Sequence, residues 1–213
     1  MRILYIDTTS NYLYSALLLN DKITGEIKED LGKDLSVFTL NKIKEMLDNN
    51  NLTPSDIDKI LVVNGPGSFT GIRIGVTIAK TMAYSLNKPI STISALEAMA
   101  ISSTKDTDYK VSVIDARRGY VFAGIYDNEY NQVLKNQYMS LEVLKCVINE
   151  LPGTYSIITN NKLDLNNIES YNPNFLEIIM RNKNKENVNP HSVNPIYLKL
   201  TEAEEKQEVD IIW

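Results

Sequence analysis

Twice along this 213-residue chain the same local order occurs: an apolar run ending in aspartate, a polar turn of four residues, and a second apolar run. The first copy is Arg2-Ile3-Leu4-Tyr5-Ile6-Asp7, then Thr8-Thr9-Ser10-Asn11, then Tyr12 to Leu19. The second is Val111-Ser112-Val113-Ile114-Asp115, then Ala116-Arg117-Arg118-Gly119, then Tyr120 to Tyr126. Each reads as a β-hairpin. A third strand candidate follows each, Lys22 to Lys28 and Tyr130 to Tyr138, and then a helical pattern, roughly Leu35 to Asn49 and Leu141 to Leu151. A plan used twice points to a duplicated α/β arrangement; chance agreement between two common hairpin patterns is the competing reading.

The first half continues with a buried strand at Lys59 to Val63, a glycine-rich segment, a helix from Gly71 to about Leu86, a short strand at Pro89 to Ile93 and another helix. Ser94-Ala95-Leu96-Glu97 announces that helix as a capping box, with Ser94 and Glu97 each satisfying an orphan amide. The second half is thinner. After Leu151-Pro152-Gly153 it offers a strand near Tyr155 to Thr159, an Asn-rich stretch, a helix near Asn174 to Arg181, a loop punctuated by proline, and Pro195-Ile196-Tyr197-Leu198-Lys199-Leu200. The expected division is an N-terminal lobe of residues 1–105 and a reduced C-terminal lobe of residues 106–213, ending in a solvated or weakly helical acidic tail from Thr201 to Asp210.

Charge and rare residues narrow the chemistry. A formal net charge of −5 without a long basic run gives the chain as a whole no strong attraction to a phosphate backbone, so any role on a nucleic acid requires a basic partner. Cys146 is the single cysteine, which excludes a disulfide framework; it falls among Leu141, Leu144, Val147 and Ile148 and is expected to be packed in the core. His191, the single histidine, sits in a loop, so no histidine-rich metal site is expected. With a strand pattern at the start and no apolar run long enough to cross a bilayer, the chain reads as cytoplasmic, with no membrane role.

Gly65-Pro66-Gly67-Ser68-Phe69-Thr70-Gly71-Ile72-Arg73-Ile74-Gly75 leads from a strand into a helix N-terminus, where free amides and the helix dipole suit a phosphate. It is not a Walker loop, because Ile72 and Arg73 follow Gly71, and its glycine spacing is one residue too long for a dinucleotide fingerprint. The candidate nucleotide or phosphate residues are Asp7, Thr8, Thr9, Ser10, Gly65, Gly67, Ser68, Thr70 and Arg73. Three structural alternatives stand beside that reading: Gly65 to Thr70 forms a plain turn, Asp7 caps its own turn, and Arg73 pairs with a carboxylate.

The same segment also reads as an interface. Gly71, Gly75, Ala79 and Ala83 give the helix one small-residue face, for a partner helix or for the chain's own sheet. On the helix of Leu35 to Asn49, Val37, Leu40, Ile43 and Leu47 form the expected core stripe, while Leu35, Phe38 and Met46 lie nearly opposite as a second apolar face for a partner.

These motifs, Ile6-Asp7-Thr8-Thr9-Ser10, Gly65 to Gly75, Ser94 to Glu97 and Ile114 to Gly119, together resemble the TsaB (YeaZ) family. That family stands within the fold group of actin, Hsp70-type chaperones and sugar kinases. The resemblance covers residues 1 to about 125 closely; beyond 126 it is loose except at Pro195-Ile196-Tyr197-Leu198. It implies a two-lobed fold and a non-catalytic scaffold that activates a TsaD-like catalytic subunit alongside a TsaE-like ATPase. Their complex places threonylcarbamoyl on N6 of the adenosine 3′ of the anticodon, so tRNA is met indirectly.

The resemblance also implies a homodimer in isolation, with no catalytic residue, metal ligand or required cofactor in this chain; ATP or ADP shared at the heterodimer interface is the one nucleotide role left open. Leu35-Ser36 stands where members commonly carry His-Ser, which adds weight to Leu35 as an interface residue. No protease arrangement is visible. The alternatives are a stand-alone ATP-dependent kinase or hydrolase of the same fold, using Asp7 and the loop at 65–71, and a self-associating homodimer.

Overall fold

The structure, a computed structural model, describes residues 1–199. The acidic stretch Thr201 to Asp210 lies outside the described residues, as does Leu200. Two five-stranded sheets share one plan. The first holds β1 (Arg2–Asp7), β2 (Tyr12–Leu19), β3 (Lys22–Asp30), β4 (Lys59–Val63) and β5 (Ile90–Ile93) in the order β3-β2-β1-β4-β5. The second holds β6 (Tyr109–Asp115), β7 (Tyr120–Asp127), β8 (Gln132–Ser140), β9 (Tyr155–Ile158) and β10 (Ile168–Glu169) in the order β10-β9-β6-β7-β8. Read from the opposite edge, the second order reproduces the first. In each sheet three strands meander antiparallel and the remaining two add in parallel to the first, as Ile3↔Lys59 and Tyr109↔Tyr155 show. The repeat in the sequence is therefore a repeat in space, and the duplicated two-lobed α/β fold is present.

Among the described residues five α-helices cover the sheets: α1 (Leu35–Asn49), α2 (Phe69–Ser85), α3 (Ala95–Ile101), α4 (Leu141–Asn149) and α5 (Phe175–Asn182). Strand alternation decides which face each helix covers. Leu4, Ile6 and Val62 point to α1 and α2, where Ile43, Leu47, Val76 and Ala79 close one core. Ile3, Tyr5, Leu61 and Val63 point the other way and are covered by Phe175, Ile178 and Ile179 of α5. Between the lobes, α3 gives Ala95, Ala98 and Ile101 to the first sheet and Leu96, Met99 and Ala100 to Tyr126 and Ile158 of the second. On the outer face of the second sheet, α4 covers Val111, Val113 and Ile125.

The second lobe is reduced at one point: nothing helical separates β9 from β10, where the first lobe has α2. Sheets divide near residue 105, yet the chain after 170 does not stay with the second lobe. α5 packs on the first sheet, Val188 donates its amide to the Ile90 carbonyl at 2.9 Å, and Ile196 donates to Asn64 O at 2.8 Å. The buried Lys59 ammonium fastens α5 from below, donating to the carbonyls of Lys183 (3.2 Å) and Lys185 (2.7 Å).

Several local expectations are corrected. The core stripe of α1 is Leu35, Thr39, Ile43, Met46 and Leu47, whereas Val37, Phe38 and Leu40 are exposed. Thr39 belongs inside because its hydroxyl donates to the Leu35 carbonyl at 2.6 Å, a satisfied polar group that an apolar count passes over. Leu35 and Met46 are consequently core residues, and of the three proposed contacts only Phe38 is free for a partner.

Cys146 is exposed, because α4 turns Leu144 and Ile148 inward and leaves the residue between them on the outside. Ser94 caps α3 through the amide of Leu96 at 3.2 Å and also accepts from Asn136 Nδ2 at 2.8 Å. Glu97 faces Lys185 at 3.6 Å, so it does not complete the box. α2 begins two residues before the expected Gly71, with the Ser68 hydroxyl accepting from the Gly71 amide at 3.2 Å.

Candidate functional site

Asp7 ends β1 at the floor of a cavity of about 740 Å³ between the lobes. Its Oδ1 accepts from the Thr9 amide at 2.8 Å and the Thr9 hydroxyl at 2.7 Å, and its Oδ2 lies 3.4 Å from the Tyr5 hydroxyl that donates to it. The carboxylate caps its own turn. No cationic side chain pairs with it among the described residues, and burial raises its pKa against the opposing pull of the Thr9 bonds.

The glycine-rich segment presses on that turn from above. Ser68 donates its amide to Thr9 O at 2.6 Å, and the Thr8 hydroxyl donates to Gly71 O at 2.7 Å. A Cβ on Gly67 would overlap the Thr9 carbonyl, one on Gly71 the Thr8 carbonyl, and one on Gly75 the Thr8 hydroxyl. These glycines allow α2 to reach β1 closely.

Gly71, Gly75, Ala79 and Ala83 are thus buried against the chain's own sheet rather than presented to a partner. The compensation for glycine at 75 is internal packing.

Of the candidate phosphate residues, Asp7, Thr9, Ser10, Gly67, Ser68 and Thr70 line the cavity. Thr8, Gly65 and Arg73 do not. Thr8 is spent on Gly71, and Gly65, at φ +120°, lies under the Ile196 carbonyl, which a Cβ there would meet at 2.6 Å. Arg73 turns outward, stacking its guanidinium 3.7 Å from the Phe69 ring centroid and donating from Nε to the Tyr197 hydroxyl at 2.8 Å. Among the described residues neither a carboxylate nor the cavity holds it.

Tyrosines complete the cavity floor, and the sequence reading missed them. Tyr14 and Tyr171 line it, with Tyr5 beneath. Burial and the nearby Asp7 raise all three phenols, Tyr14 to about 12, and the Tyr171 hydroxyl is buried with no hydrogen-bond partner among the described residues. Tyr5 and Tyr14 were visible only as strand residues, and Tyr171 lies in an irregular stretch with no local signal. From the second lobe come Asp115, Arg117, Phe122, Asn160 and Asn161. Asp115 repeats the turn chemistry of Asp7, its Oδ1 accepting from the Arg117 amide at 2.8 Å, but it stands exposed. Among the described residues no three or more His, Cys, Asp or Glu side chains gather as a metal site, and no helix is long and apolar enough to cross a membrane.

Comparison with known proteins adds to this geometry. Residues 19–168 match the family described as TsaD: tRNA N6-adenosine threonylcarbamoyltransferase. The chain is 35% identical to the tRNA threonylcarbamoyladenosine biosynthesis protein TsaB of Bacillus subtilis, over 97% of each protein. This chain belongs to the TsaB family. The TsaB of Escherichia coli is 31% identical over 62% of this chain and 58% of its own length. YeaZ from Pseudomonas aeruginosa shares the fold, with a TM-score of 0.77 at 19% identity over 92% of this chain and 99% of that one. As TsaB relatives carry threonylcarbamoyladenosine biosynthesis in their name, the TsaB assignment connects this chain to that modification of tRNA.

Proposed function

We propose that this chain is a non-catalytic scaffold which docks and activates a TsaD-like catalytic subunit in the cytoplasm, with a TsaE-like ATPase completing the assembly. The observation that carries the reading is on α1: Val37, Phe38 and Leu40 are 60%, 43% and 54% exposed, a cluster of large apolar side chains on one helix. α1 lies beside α2, whose half-buried Ile74 and Ile78 extend the apolar surface. A helix of the partner laid along this pair would bury the cluster, and a second copy of the chain would do so in the partner's absence. Burying such side chains contributes about 1.5–3 kcal/mol each.

The cavity gives less support to a stand-alone ATP-dependent enzyme. Asp7 is committed to its own turn, and Arg117 is the one cation lining the space among the described residues. A nucleotide shared with the partner remains compatible with the open rim at Ser68 and Thr70.

Reconstitution tests the proposal. The purified chain alone is expected to modify no tRNA and to restore threonylcarbamoyl transfer when added to the TsaD-like and TsaE-like proteins of the same organism. Transfer by the chain alone, or a partner equally active without it, would contradict the scaffold role.

A further inference from the structure

Between Asp58 and Glu97 the chain contains no acidic residue, and none between Glu186 and Glu202, although Asp and Glu number 27 in all. The fold lays these two stretches against each other. Residues 188–197 run along α2 as a strap: Val193 is buried in the core beside it, and Lys80 Nζ donates to the carbonyls of His191 and Val193 at 3.0 and 3.1 Å. An acidic chain thus carries one composite face built from acid-free segments.

What that face displays is aromatic. Phe69 and Tyr197 have ring centroids 5.2 Å apart and remain 54% and 43% exposed. The Arg73 guanidinium lies 3.7 Å from the Phe69 centroid and 5.8 Å from that of Tyr197, and makes no ion pair among the described residues. Further along the helix, Tyr84 meets His191 edge-on at 4.7 Å, both exposed. The two aromatic groups are separated by roughly 22 Å of helix.

We infer that this face binds the unpaired bases of an RNA strand, with Phe69, Tyr197 and Tyr84 as stacking surfaces and Arg73 as the cation. Exposed aromatic rings stack on splayed bases whatever their identity, a planar guanidinium does the same while neutralising phosphate, and α2, which lies wholly within the acid-free residues 59–96, offers no carboxylate of its own to repel a polyanion. The guanidinium already fixes both rings, so little side-chain freedom is lost on binding. Duplex RNA would find few ammonium groups to grip and no unstacked bases to offer, so a loop is the favoured ligand. An acidic protein surface fits less well, because ring faces rather than clustered charges dominate the patch.

The choice of RNA rests on the tRNA-modification reading, but not on docking of a TsaD-like subunit. Ile74 and Ile78 of the suggested partner surface lie on the other flank of α2.

Fluorescence anisotropy with the full chain is the test, using an RNA hairpin with an unpaired loop and a blunt RNA duplex of equal length. Expected is tighter binding of the hairpin, weakened roughly fivefold or more by Phe69→Ala and by Tyr197→Ala. Arg73→Gln should lower both affinity and salt dependence, by about one phosphate contact. Tyr197→Phe keeps the ring but loses the bond to Arg73; it should retain the affinity, which separates stacking from strap closure.

Equal binding by wild type and Phe69→Ala, or no hairpin binding at all, would overturn the inference. Competition by free ATP as effective as by unlabelled hairpin would assign the patch to a nucleotide, and competition by polyglutamate would assign it to an acidic protein; either contradicts an RNA site. The same variants should still capture the TsaD-like protein; a loss of capture would assign the aromatic face to that partner and contradict an RNA site, whereas the scaffold reading stands or falls on the reconstitution above.

Discussion

The turn after β1 and the turn after β6 share their chemistry but not their surroundings. In each, the last aspartate of a central strand accepts the amide two residues on, Thr9 in one and Arg117 in the other. Asp7 is buried and its turn is clamped by Ser68, Gly67 and Gly71. Asp115 is exposed, and Gly119 beside it has nothing within 4 Å of where a Cβ would stand. The difference traces to one element: α2 lies over the first turn, whereas the second lobe has no helix between β9 and β10. A duplicated loop has become structural where a helix was kept above it and has stayed open where none is present.

Substitution at the two turns should separate them most widely. Gly71→Val drives a side chain into the Thr8 carbonyl and is expected to destabilise the chain by about 3 kcal/mol in urea unfolding. Gly119→Ala strains only its own φ of +79° in open space and should cost about 1 kcal/mol. Equal losses would remove the claim that α2 locks the first turn.

The second contrast is in pH dependence. Burial raises the folded pKa of Asp7, so the folded state holds that proton more tightly than the unfolded chain. Between the two pKa values the folded form binds more protons, and the contribution of Asp7 to stability falls as pH rises through that window. Asp7→Asn keeps an acceptor for the Thr9 amide and removes the titration. Relative to wild type it should therefore gain stability from pH 4 to pH 7 in parallel denaturant titrations. A constant difference across that range would contradict a raised pKa.

The smallest effect is expected on α4. Cys146→Ser should change stability by less than about 0.5 kcal/mol, and the thiol should react with a disulfide reagent in the folded protein without waiting for unfolding. Slow, unfolding-limited modification would return Cys146 to the core.

Sheets and helices were legible because alternation and turn residues fix them locally: β1, β2, β4 and α1 begin and end where the pattern places them. Helix faces were less legible. On α1 the choice between Leu40 and Thr39 for the interior turns on a hydroxyl bonded within its own helix, and hydropathy assigns it the wrong way. At the site, Asp7 and the glycine segment were found together because both are local motifs, but what they do to each other depends on α2 crossing β1, a contact far apart in sequence. Tyr171 joins the same cavity from the chain's return to the first lobe, which no local pattern encodes. The small-residue stripe of α2 was visible as a close-packing face, and only the fold shows that β1 occupies it.

That last point moves the suggested partner surface from Gly71, Gly75, Ala79 and Ala83 to the exposed cluster on α1. Co-purification of the TsaD-like protein with a Val37→Glu, Leu40→Glu double variant tests it most directly. Folding should be intact, since both side chains are more than half exposed, while affinity for the partner should fall by about thirtyfold or more. Undiminished capture of the TsaD-like protein by the folded double variant would contradict docking through α1.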